Sequence, residues 1–156
     1  MGPYVDPTEQ LVVEIFVRDI RRSRSFYEGL GFEVLADRGS FVVLAWEGHR
    51  LFLDERPDLP PPPEHPHANV RVMVADVDSF WERARDSDAR VVSPLEDRDY
   101  GLRDFTILDP DRFGVRFGTR LPQPGHTSLH GWQASRWIAT HEVLTWRGSC
   151  CGLTAR

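Results

Sequence analysis

The chain contains one pattern of residues twice, and this repeat limits its possible folds more than any other feature of the sequence. Residues 17–20 read Val-Arg-Asp-Ile, and residues 25–28 read Ser-Phe-Tyr-Glu. Residues 74–77 and 79–82 repeat them as Val-Ala-Asp-Val and Ser-Phe-Trp-Glu. A unit of about 50 residues cannot bury its apolar face alone. The two copies must therefore pack on each other or on a second chain.

The first copy predicts a strand, a helix and three further strands. Alternating β-branched residues favour a strand over residues 11–17. Asp19 is a typical N-cap for the helix that follows, and Gly31 is a typical stop. Three short strands are predicted after the helix, at 33–37, 41–46 and 50–54, with a tight hairpin turn at 47–49.

The same order of elements restarts after a proline-rich segment. Residues 57–66 cannot form a regular helix or an interior strand, so they are predicted to be a stiff linker. The second copy then predicts strands at 69–74, 90–94, 104–108 and 114–118, with a helix from the Asp76 cap to Arg85. The predicted divisions are a first βαβββ module at 8–56, the linker at 57–66, a second module at 67–120 and a C-terminal extension at 121–156. The fold class is α+β.

Charge and hydropathy restrict the functions that the chain can have. It carries 24 acidic and 19 basic residues, a net charge of −5, which argues against nucleic-acid binding and favours a cationic ligand. It has neither an apolar run of about 20 residues nor a signal peptide, so no membrane contact and a cytoplasmic location are predicted. The only cysteines, Cys150 and Cys151, are adjacent and give no zinc or redox spacing.

The motifs of the repeat resemble those of the vicinal-oxygen-chelate superfamily. This is the group of glyoxalase I, extradiol dioxygenases, fosfomycin-resistance enzymes and bleomycin-resistance proteins. The resemblance covers about residues 10–120 and rests on the Asp19-Ile20 helix start, Phe-Tyr-Glu at 26–28, Gly-Phe at 31–32, Tyr-Gly-Leu-Arg-Asp-Phe at 100–105 and Leu-Asp-Pro-Asp at 108–111. Residues 99–117 are most similar to the bleomycin-resistance branch. The resemblance implies that curved mixed sheets surround a cup-shaped cleft.

The resemblance also implies where a metal would bind. In the metal-using members, His, Glu or Gln side chains on the first and last strands of each module hold a divalent ion. The matching positions in this chain carry Val12, Phe52, Asn69 and Arg116. Two of these have no donor atom, and a guanidinium repels a divalent cation. We therefore expect no metal and no other cofactor, with His67 as the single weak candidate ligand if the register shifts by two.

Strand alternation predicts which side chains line the cup. If Val13, Ile15 and Val17 pack under the helix, their neighbours in β-structure point into the cleft. The candidate ligand-binding residues are Glu14, Phe16, Phe41, Phe52, Asp54, Arg71, Met73, Tyr100, Arg103 and Arg116. Alternation selects seven of them, and Phe41, Tyr100 and Arg103 are added on other grounds. This mixture of aromatic and charged groups suits a large, flat, cationic or zwitterionic molecule.

Four of these candidates have a second interpretation that the sequence leaves open. Glu14 either faces a ligand or forms a structural ion pair with Arg71. Phe41 lies either in the pocket or in the core. Tyr100 either stacks on a ligand, as the resemblance implies, or only shapes its loop, and Arg103 either contacts a ligand or fixes that loop.

The sequence thus predicts a non-catalytic binding protein of the bleomycin-resistance type. It would act as a homodimer with clefts between the subunits and sequester a small molecule such as a bleomycin-type antibiotic. One alternative is a metal-dependent enzyme of the same superfamily that uses His67 and Glu14. The other is an accessory domain that acts through the Trp-rich extension after Leu121, for which a short helix near 133–145 is predicted.

Overall fold

The structure is a computed structural model that describes residues 4–87 and 89–122. The predicted extension at 121–156 therefore lies outside the described residues except for Leu121 and Pro122, and so does the helix predicted near 133–145. The described residues form three helices and eight strands: α1 Pro7–Gln10, β1 Val13–Val17, α2 Ile20–Leu30, β2 Glu33–Asp37, β3 Phe41–Trp46, β4 His49–Glu55, β5 Asn69–Met73, α3 Val77–Asp86, β6 Arg90–Asp97, β7 Leu102–Leu108 and β8 Gly114–Arg120. None of these helices is long and apolar enough to cross a lipid bilayer.

The two copies fold into two sheets of identical topology. The first has the strand order β1-β4-β3-β2 and the second the order β5-β8-β7-β6. In each sheet the first strand runs parallel to the last, and the other neighbours are antiparallel. The α+β class and the tandem βαβββ arrangement predicted from the repeat are therefore confirmed. The four-residue helix α1 was not predicted, and it begins where the Asp6 carboxylate accepts a hydrogen bond from the Thr8 amide.

The helix boundaries follow from the capping residues that the sequence indicated. The Asp19 carboxylate accepts hydrogen bonds of 3.0 Å from the amides of Arg21 and Arg22 at the start of α2. Gly31 ends that helix with φ of 103°, a left-handed conformation that glycine adopts without a steric cost. Asp76 caps α3 in the same way by accepting from the Ser79 amide.

Several strand boundaries differ from the predicted ones. Trp46 pairs with His49, so the turn between β3 and β4 consists only of Glu47 and Gly48, both with positive φ. Strands β6 and β7 pair over more residues than predicted. After two register shifts, the pairing continues to Asp97, which lies opposite Arg103. The strand predicted from residue 11 begins at Val13.

The two modules share one hydrophobic core, which lies on the helix side of both sheets. Trp46 of β3 joins them: the centre of its ring lies 5.5 Å from that of Phe80 on α3 and 6.1 Å from that of Phe117 on β8. The fully buried members come from both modules and include Val17, Tyr27, Leu30, Leu44, Leu53, Val77, Phe105, Ile107, Val115 and Phe117. Since both sheets turn their helix side inward, their opposite sides face away from the core.

Polar contacts also join the modules at the turn after β7. The Tyr27 hydroxyl donates to the buried Asp109 carboxylate at 3.1 Å, and Arg18 forms an ion pair of 2.7 Å with Asp111. The Asp109 carboxylate also accepts the amides of Asp111 and Phe113, which fixes the turn. Burial raises the pKa of Asp109 to about 6 despite these hydrogen bonds.

Candidate functional site

The predicted site residues other than Arg103 lie on the sides of the two sheets that face away from the core. We call these sides the first outer face, on β1, β3 and β4, and the second outer face, on β5, β7 and β8. Successive side chains of a strand point to opposite sides. On β1, Ile15 and Val17 are buried in the core, whereas the neighbouring Glu14 and Phe16 are exposed. Val72 and Arg71 on β5 alternate in the same way.

The first outer face carries a cluster of aromatic side chains. The ring centres of Phe41 and Phe52, on neighbouring strands, are 5.4 Å apart. Phe16 is 51% exposed, and the Arg56 guanidinium lies 5.4 Å from the centre of its ring. Arg56 also forms an ion pair with Asp54. Phe41 therefore belongs to this outer face, and the cluster presents apolar surface beside one neutralised carboxylate.

Glu14 and Arg71 do not form the ion pair that the sequence left open. Both side chains are exposed, and within residues 4–87 and 89–122 no ion pair joins either of them to another residue. Glu14 lies opposite Phe52 in the first sheet, and Arg71 lies opposite Arg116 in the second. In the described part of the chain, their charges are thus available to a ligand or a second protein.

The second outer face is organised around the buried carboxylate of Asp104. Its Oδ1 accepts hydrogen bonds from Arg98 at 3.0 Å and from Arg116 at 3.2 Å. Its Oδ2 accepts from the Tyr100 hydroxyl at 2.8 Å, and that hydroxyl accepts in turn from Arg116 at 2.9 Å. These bonds fix the side chain of Tyr100, a residue that is 53% exposed. Arg98 was not among the predicted residues, because it lies past the predicted end of β6.

The hydrogen bonds also define the protonation of Tyr100. Loss of hydration around its hydroxyl and the bond to Asp104 raise the pKa of Tyr100 above its ordinary value. The hydroxyl therefore stays protonated at neutral pH and remains a donor. Its aromatic ring, rather than an ionised oxygen, is what the second outer face presents.

Arg103 does not lie with the other predicted site residues. Asp104 points to the second outer face, so its neighbour Arg103 points to the opposite, helix side of β7. Its guanidinium there binds Asp78 of α3 at 2.8 Å and Asp97 of β6 at 2.9 Å. These hydrogen bonds raise the pKa of Arg103. Arg103 thus ties α3 to the β6–β7 hairpin, in agreement with the structural interpretation and against its placement in the cup.

A cavity of about 410 Å³ opens on the second outer face. It is lined by Arg71, Met73, Tyr100, Leu102, Arg116 and Arg120. A second cavity, of about 370 Å³, opens at the edge strands β1 and β5, where Leu11 and Val13 lie across from Val70 and Met73. Among the described residues, no hydrogen bond, ion pair or aromatic contact joins the predicted residues of one outer face to those of the other.

The positions that would hold a metal in this kind of fold do not fit one. Val12 and Phe52 offer no donor atom, and the Arg116 guanidinium is already paired with Asp104. Asn69 is exposed at the start of β5, and His67 is exposed in the segment before it. In the part of the chain that the structure describes, no three His, Cys, Asp or Glu side chains are grouped as metal ligands.

Solved structures with the same fold include proteins from several bacteria. A protein of unknown function from Agrobacterium tumefaciens str. C58 is 28% identical, with a TM-score of 0.62 over 76% of this chain and 98% of that chain. TioX from Micromonospora sp. ML1 is 25% identical, with a TM-score of 0.60 over 71% and 98%. A bleomycin resistance determinant encoded on the transposon Tn5 is 20% identical, with a TM-score of 0.60 over 71% and 97%.

The sequence itself matches a family model over most of its length. Residues 10–117 match the model of the Glyoxalase/Bleomycin resistance protein/Dioxygenase superfamily, which confirms the resemblance inferred from the repeat. The search of curated proteins found no match. The two tandem modules, their topology and this match together show that the chain belongs to the Glyoxalase/Bleomycin resistance protein/Dioxygenase superfamily.

Proposed function

We propose that the chain is a non-catalytic protein that binds a planar, cationic or zwitterionic small molecule, such as a bleomycin-type antibiotic, and sequesters it. The observation that carries this proposal is the chemistry of the outer faces. They hold the exposed rings of Phe16 and Tyr100 beside fixed charges. Aromatic rings with a few placed polar groups are typical of sites for flat organic ligands.

The exposure of these side chains has an energetic cost that ligand binding would recover. Burying apolar surface stabilises a complex by roughly 25 cal/mol per Å². Phe16, Met73 and Tyr100 are 51%, 42% and 53% exposed, so a flat ligand that covers them removes much apolar surface from water. The cavity of about 410 Å³ on the second outer face also falls within the size range of small-molecule sites.

We further propose that the chain acts as a homodimer and that each site lies between subunits. In the described residues, β1 pairs only with β4 and β5 pairs only with β8, which leaves one edge of each strand open. Apolar side chains lie along these edges, with Leu11 87% exposed. A two-fold arrangement would place the first outer face of one subunit over the second outer face of its partner. The shared fold with the Tn5 bleomycin resistance determinant supports the same class of ligand.

Calorimetric titration with metal-free and copper-loaded bleomycin tests this function. We expect micromolar or tighter binding at one ligand per subunit in at least one titration. Phe52→Ala should weaken it about tenfold or more, because it removes a ring from the first outer face. Phe26→Ala is the matched control, since it removes a ring from α2 on the core side.

Two results would contradict parts of the proposal. Absence of heat in both titrations would reject bleomycin as the ligand. Stoichiometric metal in the purified protein that is lost in His67→Ala would instead favour the metal-dependent enzyme of the same superfamily.

A further inference from the structure

Three arginines of the second outer face line one cavity. Arg71 lies directly opposite Arg116 on the neighbouring parallel strand, and Arg120 follows Arg116 on the same side of β8. Gly118, between the two arginines of β8, adds no side chain to this space. All three arginines border the cavity of about 410 Å³ together with Tyr100 and Met73.

Placing two like charges opposite each other in a sheet destabilises the fold. A pair of like charges that costs stability is expected where function requires it. The pairing of Arg116 with Asp104 weakens this repulsion. Asp104 is shared with Arg98, and Glu96 neutralises the remaining charge of that cluster through its ion pair with Arg98.

Arg71 and Arg120 are therefore uncompensated charges. Neither forms an ion pair within residues 4–87 and 89–122, and no acidic side chain is among the described residues that line the cavity. Asp99, the acidic residue nearest to Tyr100 in sequence, is exposed and does not line the cavity. In a chain with a net charge of −5, this face carries a local excess of positive charge.

The geometry points to a ligand with an anionic group, a carboxylate, sulfonate or phosphate, that binds to Arg71 on the second outer face. Arg120 attracts the same group from the other end of the cavity, and the Tyr100 ring offers a surface for the adjoining part of the ligand. This inference rests on the proposed function, and it narrows the ligand from cationic or zwitterionic to a molecule that must carry a negative charge. A zwitterion could also place its cation near Glu14 of the first outer face.

Two probes with the same flat ring and opposite charge test the inference. 1-Pyrenecarboxylate and 1-pyrenemethylammonium are titrated with the full chain at about 50 mM salt, where surface charges are weakly screened, and the pyrene anisotropy is measured. We expect the carboxylate to bind at least about tenfold more tightly, as for a charge-assisted hydrogen bond. Arg71→Gln should remove most of this preference, and Arg120→Gln should reduce it a few-fold.

Arg85→Gln is the matched control. Arg85 is exposed on α3, on the core side of the second sheet, so its loss should leave both affinities unchanged. Arg71→Gln should fold normally because it removes a repulsion, and its melting temperature checks this.

The outcomes separate this inference from the proposed function. Equal affinities for the two probes, tighter binding of the ammonium probe, or an unchanged preference in Arg71→Gln would overturn the anionic ligand. If both probes bind with equal affinity and Phe52→Ala abolishes this binding, the proposed function stands and the inference fails. If neither probe binds, the inference fails, and the bleomycin titration alone decides the proposed function.

Discussion

The two outer faces occupy equivalent positions of the repeated fold and carry opposite chemistry. In the first sheet Glu14 lies opposite Phe52, whereas the same pair of positions in the second sheet holds Arg71 and Arg116. The core sides of the same strands remain alike, as with Leu53 and Phe117 next to these positions. Packing under a helix restricts the core side to apolar residues, but it places no such demand on the outer face. The outer faces are therefore free to differ between the modules.

The two faces also differ in the residue on which their exposed side chains rest. Phe41, the residue opposite Asp54 on the first sheet, corresponds to Asp104, the residue opposite Gly118 on the second. The first face is thus built on two phenylalanine rings in a tilted contact and the second on a buried carboxylate with two arginines and a tyrosine. A buried charged network requires all its partners, whereas an apolar ring contact leaves no charge unpaired when one ring is lost.

The largest difference in stability between the two faces should appear when the central carboxylate of each face is removed. Asp104→Ala leaves Arg98 and Arg116 without their shared partner, so we expect a loss of about 3 kcal/mol in the free energy of unfolding. This is the lower end of the range for buried pairs, because the two arginines are partly exposed. Asp54→Ala on the first face should cost less than about 1 kcal/mol, since its partner Arg56 is exposed. Urea unfolding of both variants measures the difference, and equal losses would contradict it.

The turns that follow equivalent strands should differ in their response to pH. Burial raises the pKa of Asp109 from 3.8 to about 6, so the folded state binds this proton more tightly than the unfolded state. Asp109 therefore contributes most to the free energy of unfolding at low pH, where its carboxyl group is protonated. This contribution is lost as the pH rises from 3.8 to about 6. We expect a loss of about 2 kcal/mol between pH 4.5 and 7.5 from this group.

Asp109→Asn should abolish that part of the pH dependence, because the amide does not titrate. Glu47→Gln in the corresponding turn of the first module should leave it unchanged, since Glu47 is exposed. Urea unfolding at several pH values measures both. A pH dependence that survives in Asp109→Asn would assign it to another group.

The sequence predicts one kind of feature in this molecule well and another poorly. Alternation places Glu14, Phe16 and Arg71 correctly, because a strand in a two-layer packing has only two sides. The contact between Arg98 and Asp104 depends instead on two register shifts between β6 and β7, which no residue pattern indicated. Arg103 was assigned by its position near a loop rather than by alternation, and it lies on the core side.

Substitution of one glycine in each module should change the stability by smaller amounts and in opposite directions. A Cβ added at Gly118 would lie 3.2 Å from the Asp104 Cβ, and Asp104 cannot move away because three side chains hold it. We expect Gly118→Ala to cost about 1 kcal/mol. Gly29→Ala on α2 of the first module meets no atom within 4 Å and should stabilise the fold by about 0.5 kcal/mol. Thermal unfolding with the opposite signs would contradict this assignment.

The smallest expected effect concerns the exposed charges themselves. Because Arg71 lies opposite Arg116, Arg71→Gln should raise the melting temperature by about 1 °C at low salt. Glu14 has no like charge opposite it, so Glu14→Gln should leave the melting temperature unchanged. Salt screens repulsion between exposed groups, and the gain in Arg71→Gln should therefore disappear near 1 M salt. A gain that persists at high salt would mean that Arg71 destabilises the fold through packing rather than charge, and the second outer face would then have no stored repulsion for an anionic ligand to relieve.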